Sequence, residues 1–229
     1  MSDGSCKFID NSFTAIYNST SINESTKIMC NYHISLTLND FIMYVDGNIV
    51  VPTIETYYSH LPFITYKFNS IGLHNVKIFF KKTLTNCIGW MFGDCIDLVS
   101  VKFSDTMDTS HVSDIYNMFV CTYSLLTVDL SSFDTSNIVE MTDTFYSSNK
   151  LTSLNLSNFN TSNVRRMEGM FDHCEKLNFI DLSSFNMSKV TNTVSLFTNV
   201  AKNGTIIINE LFGQYKKLIP NDWNIITVE

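Results

Sequence analysis

The chain has 229 residues, 45% of them hydrophobic and 16% charged, an ordinary balance for a folded protein able to bury a substantial core as one body or two small domains. Its formal net charge is −7, from 15 basic and 22 acidic residues, and basic residues gather no more densely than in the pairs Lys81-Lys82, Arg165-Arg166 and Lys216-Lys217. That excludes the basic stripe with which proteins hold nucleic acid or anionic membranes, and no apolar run is long enough for membrane insertion.

Residues 1–26 are rich in Asn, Ser and Thr and predict a polar segment that is partly disordered or wraps the edge of the domain. Met1 to Thr20 show no basic start followed by an apolar run, so no signal peptide is visible. Next come Ile28 to Leu38, Phe41 to Val45, Asn48 to Val51, Phe63 to Phe68 and Val76 to Phe80, rich in β-branched and aromatic residues and separated by turn residues. Asp46-Gly47 is the clearest two-residue hairpin turn among them. Residues 27–84 are therefore expected to form a small antiparallel β domain of four to six strands, an immunoglobulin-like sandwich in outline, that acts as an N-terminal cap.

From Trp90 to Val200 the chain repeats itself. Phe92, Phe119, Phe145, Phe171 and Phe197 are separated by steps of 27, 26, 26 and 26 residues. Leu98, Leu125, Leu151 and Leu177 keep the same step, as do Val101, Val128, Leu154 and Ile180, and Phe103, Leu130, Leu156 and Leu182. The single extra residue falls between Phe103 and Met107, which predicts a loop there. A sustained period of this length predicts a solenoid, in which no repeat buries its apolar face without its neighbours. Within a repeat the period changes. Val128 and Leu130 alternate with Thr127, Asp129 and Ser131, as in a strand with one buried face. Ile138, Met141 and Phe145 are spaced three and four, which predicts a short helix. The recurring tracts Asp108-Thr109-Ser110-His111, Asp134-Thr135-Ser136-Asn137 and Asn160-Thr161-Ser162-Asn163 are corners, able to cap free amides.

Tracts such as Met170-Phe171-Asp172-His173-Cys174-Glu175-Lys176-Leu177, followed by Ile180-Asp181-Leu182-Ser183-Ser184-Phe185, resemble the 26-residue repeat of BspA-like leucine-rich-repeat surface proteins, also met in mycoplasma lipoproteins. The tail Ile219-Pro220-Asn221-Asp222-Trp223 resembles the end of such arrays. The resemblance covers about half of the chain. It implies a leucine-rich-repeat-like right-handed solenoid, strand plus short helix in each turn, used for adhesion or partner binding and commonly found at a cell surface. With no visible leader, surface and intracellular locations both stay open.

Ile206 and Ile208 follow Ile180 and Leu182 by 26 residues, so Thr205 to Asn209 is expected as a fifth strand. The array then spans 85–209, and residues 210–229 with Trp223 are expected to fold over its last turn as a C-terminal cap.

Candidate chemistry is sparse. Cys6, Cys30, Cys87, Cys95, Cys121 and Cys174 form no CxxC pair, so no zinc site is expected. Cys95 and Cys174 share a repeat position with Thr122 and Ser148, which predicts a packing role for small side chains; a bridge from Cys121 to an adjacent turn is the minority alternative. His33, His60, His74, His111 and His173 are scattered, and His173 beside Cys174 points a different way from it. Asp129 and Asp181 are separated by Asn155 in one strand column, so a solvated face accounts for them better than an acid and base pair. No glycine-rich phosphate loop occurs. The expectation is a non-enzymatic protein without cofactor or metal. Sequons at Asn18, Asn23, Asn155, Asn160, Asn186 and Asn203 matter only in a secreted protein.

The outward strand positions are Ser100, Lys102 and Ser104; Thr127, Asp129 and Ser131; Ser153, Asn155 and Ser157; and Phe179, Asp181 and Ser183. Stacked strands would present them as a polar ladder suited to protein or glycan contacts. Lys102, Asp129, Asn155, Phe179 and Asp181 are the candidate binding residues. Phe179 is either an anchor for a partner or covered by the C-terminal tail. Two functions fit: an adhesin-like or host-interacting recognition module, and a structural scaffold or coat protein that self-associates.

Overall fold

The computed structural model of the chain describes residues 10–57 and 60–229, so Cys6 lies outside the described residues. Its first strand, β1 (Ser12–Ser19), arises in the segment expected to be polar and irregular. Alternation explains it: Phe13, Ala15 and Tyr17 are buried, while Thr14, Ile16 and Asn18 face outward. Strands β2 (Ser25–Cys30), β5 (Thr53–Thr56) and β6 (Pro62–Lys67) form an antiparallel sheet in the order β2-β6-β5. Strands β3 (Phe41–Val45), β4 (Asn48–Val50) and β7 (Gly72–Phe80) join β1 in another. The β3–β4 hairpin turns through Asp46 and Gly47, whose φ values of 48° and 82° are the left-handed pair that a tight hairpin requires.

β1 pairs antiparallel with β7 on one side and with β8 (Leu98–Phe103), the first repeat strand, on the other. One six-stranded sheet, β4-β3-β7-β1-β8-β9, thus runs across the boundary expected at residue 84, with β9 at Thr127–Asp129. The expected sandwich-like cap is thus two sheets, one of them shared with the repeats. The extra residue after Phe103 lies in a turn, where Ser104 N–H donates to the Ser12 carbonyl at 2.9 Å.

The leucine-rich-repeat-like solenoid of strand plus short helix is not what the repeats form. Among the described residues the one helical element is a 3₁₀ segment, Glu210–Leu218, beyond the repeats and kinked at Gly213. Turns occupy the place of the expected helix. Asp143 (φ 51°) and Ser147 (φ 58°) are left-handed, and so are their counterparts Trp90, Asn117, Gly169 and Ser195, and Asp94, Cys121, His173 and Asn199. A right-handed helix cannot run through such residues. Hydrogen bonding alternates instead. Thr144, Tyr146 and Ser148 N–H donate to the carbonyls of Met141, Asp143 and Phe145, three residues back. Met141, Asp143, Phe145 and Ser147 N–H donate to Arg166, Glu168, Met170 and Asp172 of the next repeat, at 2.8 to 3.0 Å. The three-and-four spacing is the spacing of overlapping turns, each second amide being given to a neighbouring repeat.

Successive repeats therefore stack through two ladders. One is the strand ladder: β10 (Ser153–Asn155), β11 (Phe179–Leu182), β12 (Thr205–Asn209) and β13 (Asn224–Val228) form a parallel sheet in that order. The other is the turn ladder, with single parallel bridges linking Cys87, Asp114, Glu140, Arg166 and Asn192 in turn. Between them the phenylalanine column is buried, with ring centroids 5.4, 5.3, 6.1 and 5.4 Å apart from Phe92 to Phe197 and nearly parallel planes. Phe13 meets the first ring edge-on at 5.0 Å, and Trp223 lies 6.4 Å from the last. The indole also covers Gly204, where a Cβ would fall 2.4 Å from it.

Candidate functional site

The strand ladder carries the five candidate residues on its outer side. Lys102 and Asn155 are exposed, Asp129 and Asp181 are partly exposed, and Phe179 is 37% exposed. Parallel register places Lys102 beside Asp129, where Nζ and Oδ2 are 2.9 Å apart, and Asn155 beside Asp181. Ser153, Phe179 and Thr205 share the neighbouring column. The two groups are not brought together. β9 and β10 belong to different sheets, and between them lies a groove of about 220 Å³ bordered by Asp129, Ser131, Asn155, Ser157 and Asn158. Asn158 Nδ2 crosses the break and donates to the Leu130 carbonyl at 3.1 Å.

The acidic and amide members of the ladder also hold the corners of the chain. Asp129 Oδ1 accepts from Ser131 N–H and Oγ–H at 3.1 and 2.6 Å, and Asn155 Oδ1 accepts the same pair from Ser157 at 3.0 and 2.7 Å. Asp181 Oδ1 accepts Ser183 N–H at 2.9 Å. These are Asx turns, the local bonding that short acceptors favour. The hydrogen bonds from Ser131 and the ammonium of Lys102 hold the Asp129 carboxyl down at about 2. Phe179 is flanked by Ser153 and Thr205, while Trp223 of the C-terminal tail packs on Phe197 instead.

The shared sheet enlarges this face beyond the residues expected. Register aligns Ile49, Tyr44, Lys77, Thr14, Lys102 and Asp129 in one row across β4, β3, β7, β1, β8 and β9. Tyr44 and Phe79 meet edge to face at 5.8 Å beside a depression of about 480 Å³, and Lys77 Nζ lies 4.3 Å over the Phe79 ring and 3.4 Å from Asp10. The outward alternation of Asn75, Lys77 and Phe79 in β7 is readable in the sequence. That β1 carries it into the repeats is not.

The turn ladder pairs some of its charges and crowds others. Arg166 bridges Glu140 at 3.3 Å and Glu168 at 3.1 Å, and Thr142 Oγ1 donates to Glu168 at 2.8 Å. Burial raises the Glu168 carboxyl, but the hydrogen bonds it accepts and the Arg166 charge bring it below its usual range. Asp143 is raised by burial and by the charges of Asp172, Glu168 and Glu140. Cys95, Thr122, Ser148 and Cys174 are fully buried. Thr122 and Ser148 bond to each other and to the Phe119 carbonyl, and Cys174 Sγ–H donates to the Phe145 carbonyl at 3.0 Å. Burial pushes the Cys174 thiol up to about 12. Cys121, Cys95, Cys30, Cys87 and Cys174 are all free thiols. His173 Nε2 is 3.0 Å from Asn199 Nδ2, while Cys174 Sγ is engaged with the Phe145 carbonyl.

Among the described residues no group of three His, Cys, Asp or Glu side chains is placed to hold a metal ion, and no helix is long and apolar enough to cross a membrane. The fold and its outer face define a β-rich repeat protein with a polar and aromatic surface carried by two sheets. Residues 87–209, more than half of the chain, match the family described as "Mycoplasma protein of unknown function, DUF285", and the chain belongs to that family. No curated protein and no solved structure matches the chain.

Proposed function

We propose that the chain is a BspA-like surface repeat protein, a non-enzymatic recognition module that binds a protein or a glycan through the outer face of its strand ladder. The observation that carries this reading is the single row that crosses the shared six-stranded sheet. Tyr44, Lys77, Lys102 and Asp129 lie in one register row across the shared sheet, and Asn155, Asp181 and Phe179 extend the surface beyond the groove. Partly exposed aromatic rings among hydrogen-bonding side chains are the composition from which binding hot spots are made. On the turn ladder Arg166 is already engaged by Glu140 and Glu168.

Arrays of glycans and of folded extracellular proteins, probed with the labelled chain, test the proposal and separate the two ligand classes. Tyr44→Ala, Lys102→Ala and Phe179→Ser should each leave the fold intact, and at least one should weaken the interaction about 30-fold, the effect of losing a hot spot. Val194→Ser, an exposed position on the turn ladder, should change nothing. Binding lost with Val194→Ser and kept by the other three, or no binding to either array, would overturn the proposal.

A further inference from the structure

The sheet β10-β11-β12-β13 ends in a strand of a kind that folded proteins usually protect. All five residues of β13 are exposed, including Ile225 and Ile226 at 42% and Val228 at 37%. Ile225 extends a core column whose earlier members Leu154, Ile180 and Ile206 are buried. Among the described residues no strand pairs with the outer edge of β13. Edge strands elsewhere carry such protection: β2 holds Lys27. β4 has three residues and is followed by Pro52, and β5 carries Glu55. β13 contains no charge, proline or bulge, the devices by which edges are kept from pairing.

We infer that β13 pairs antiparallel with β13 of a second copy of this chain, about a two-fold axis at Ile226. The register follows from the backbone. Asn224 N–H donates to the Gly204 carbonyl at 2.8 Å, toward β12. Alternation then turns the N–H and C=O groups of Ile226 and Val228 toward β12 as well, and leaves those of Ile225 and Thr227 pointing outward. An axis at Ile226 sets Ile225 opposite Thr227 of the second copy, so each exchanges both backbone hydrogen bonds with the other. Asn224 faces Val228, Ile226 faces its own copy, and Glu229 stays outside the paired block, so no like charges oppose one another. The match is self-complementary, as a closed two-fold dimer demands. The short, proline-flanked β4 edge fits a head-to-tail contact less well. The edge adjoins the recognition face, since Asn155, Asp181, Ile207 and Ile226 share one register row, but the pairing uses the backbone groups of the edge, and neither proposal depends on the other.

A five-residue strand pair buries less than the ~1,200 Å² of a standard stable interface, so the dimer forms as concentration rises. Light scattering across a concentration series should show the mass climbing from 26.1 kDa toward twice that value. Thr227→Pro removes only an outward N–H, and Ile226→Lys changes only the outer face; each should hold the mass at one chain with an unchanged circular dichroism spectrum. In the unmodified chain, the amides of Ile225 and Thr227 should gain protection from hydrogen exchange with concentration, while that of Asn224 stays protected throughout. A single-chain mass at the highest soluble concentration, a dimer untouched by either substitution, or growth beyond two copies would overturn the inference.

Discussion

At the start of the repeat stack Phe13 packs among Phe80, Phe92 and Phe103 at 5.9, 5.0 and 6.0 Å, β1 pairs along β8, and Cys30 N–H donates to the Met91 carbonyl at 2.8 Å. At the other end Trp223 covers Phe197 and donates through Nε1 to the Ala201 carbonyl at 2.8 Å, yet β13 leaves its outer backbone groups free. The first end closes both the apolar column and the backbone edge. The second closes the column alone. Covering a core and satisfying a sheet edge are thus separate tasks in a stacked chain, because one is met by area removed from water and the other by directional hydrogen bonds.

Substitutions inside the stack and at its two ends sharpen this contrast. Phe145→Ala or Phe171→Ala should be the most damaging, at about 3–5 kcal/mol in a cooperative denaturant transition, since both rings are fully buried between neighbours. At the ends, Phe13→Ala should cost more than Trp223→Ala, by about 1 kcal/mol or more, because three rings surround Phe13 while Trp223 meets one. Equal losses would mean that the two ends are closed equally well. Thr135→Val removes a buried hydroxyl that accepts Asn160 N–H at 2.7 Å and should cost about 1–3 kcal/mol by the same assay.

The smallest effects are electrostatic and have opposite signs on the two ladders. Asp129 is depressed to about 2, so its contribution is fully present above the ordinary carboxylate value of 3.8 and is lost as pH falls through about 2. Asp129→Asn should therefore lower the melting temperature slightly at neutral pH, with the deficit closing in that acid window. Asp143 is raised, so ionising it opposes folding as pH climbs above 3.8. Asp143→Asn should raise the melting temperature at neutral pH, the more so because asparagine tolerates the left-handed backbone and Asn117 already occupies the matching position. A deficit for Asp143→Asn at neutral pH would contradict the crowding of its carboxyl by Asp172, Glu168 and Glu140.

What the sequence discloses is whatever residue type alone enforces. The 26-residue columns, the inward and outward alternation of β8 to β12, the fifth strand Thr205–Asn209 and the Asp46-Gly47 hairpin all follow from apolar periodicity or a required left-handed φ. β1 is concealed because its Asn, Ser and Thr content outweighs the alternation of Phe13, Ala15 and Tyr17, and its partners β7 and β8 lie far along the chain. The turn ladder is concealed for a different reason. Its left-handed positions mix Trp90, Cys121 and His173 with Asn117, Asp143 and Gly169, so no one residue type marks the column, and hydrogen bonds between repeats reproduce a helical spacing. Of the candidate face, the five repeat residues are legible, whereas the row through Thr14, Tyr44 and Lys77 depends on that unseen pairing of β1.

Through-hydrogen-bond couplings between amide nitrogens and carbonyl carbons, measured by NMR in the middle repeats, test the ladder most directly. The amides of Asp143, Phe145 and Ser147 should couple to the carbonyls of Glu168, Met170 and Asp172 in the following repeat. Couplings to Val139, Met141 and Asp143, four residues back in the same repeat, would contradict the stacked turns and restore a helix in their place.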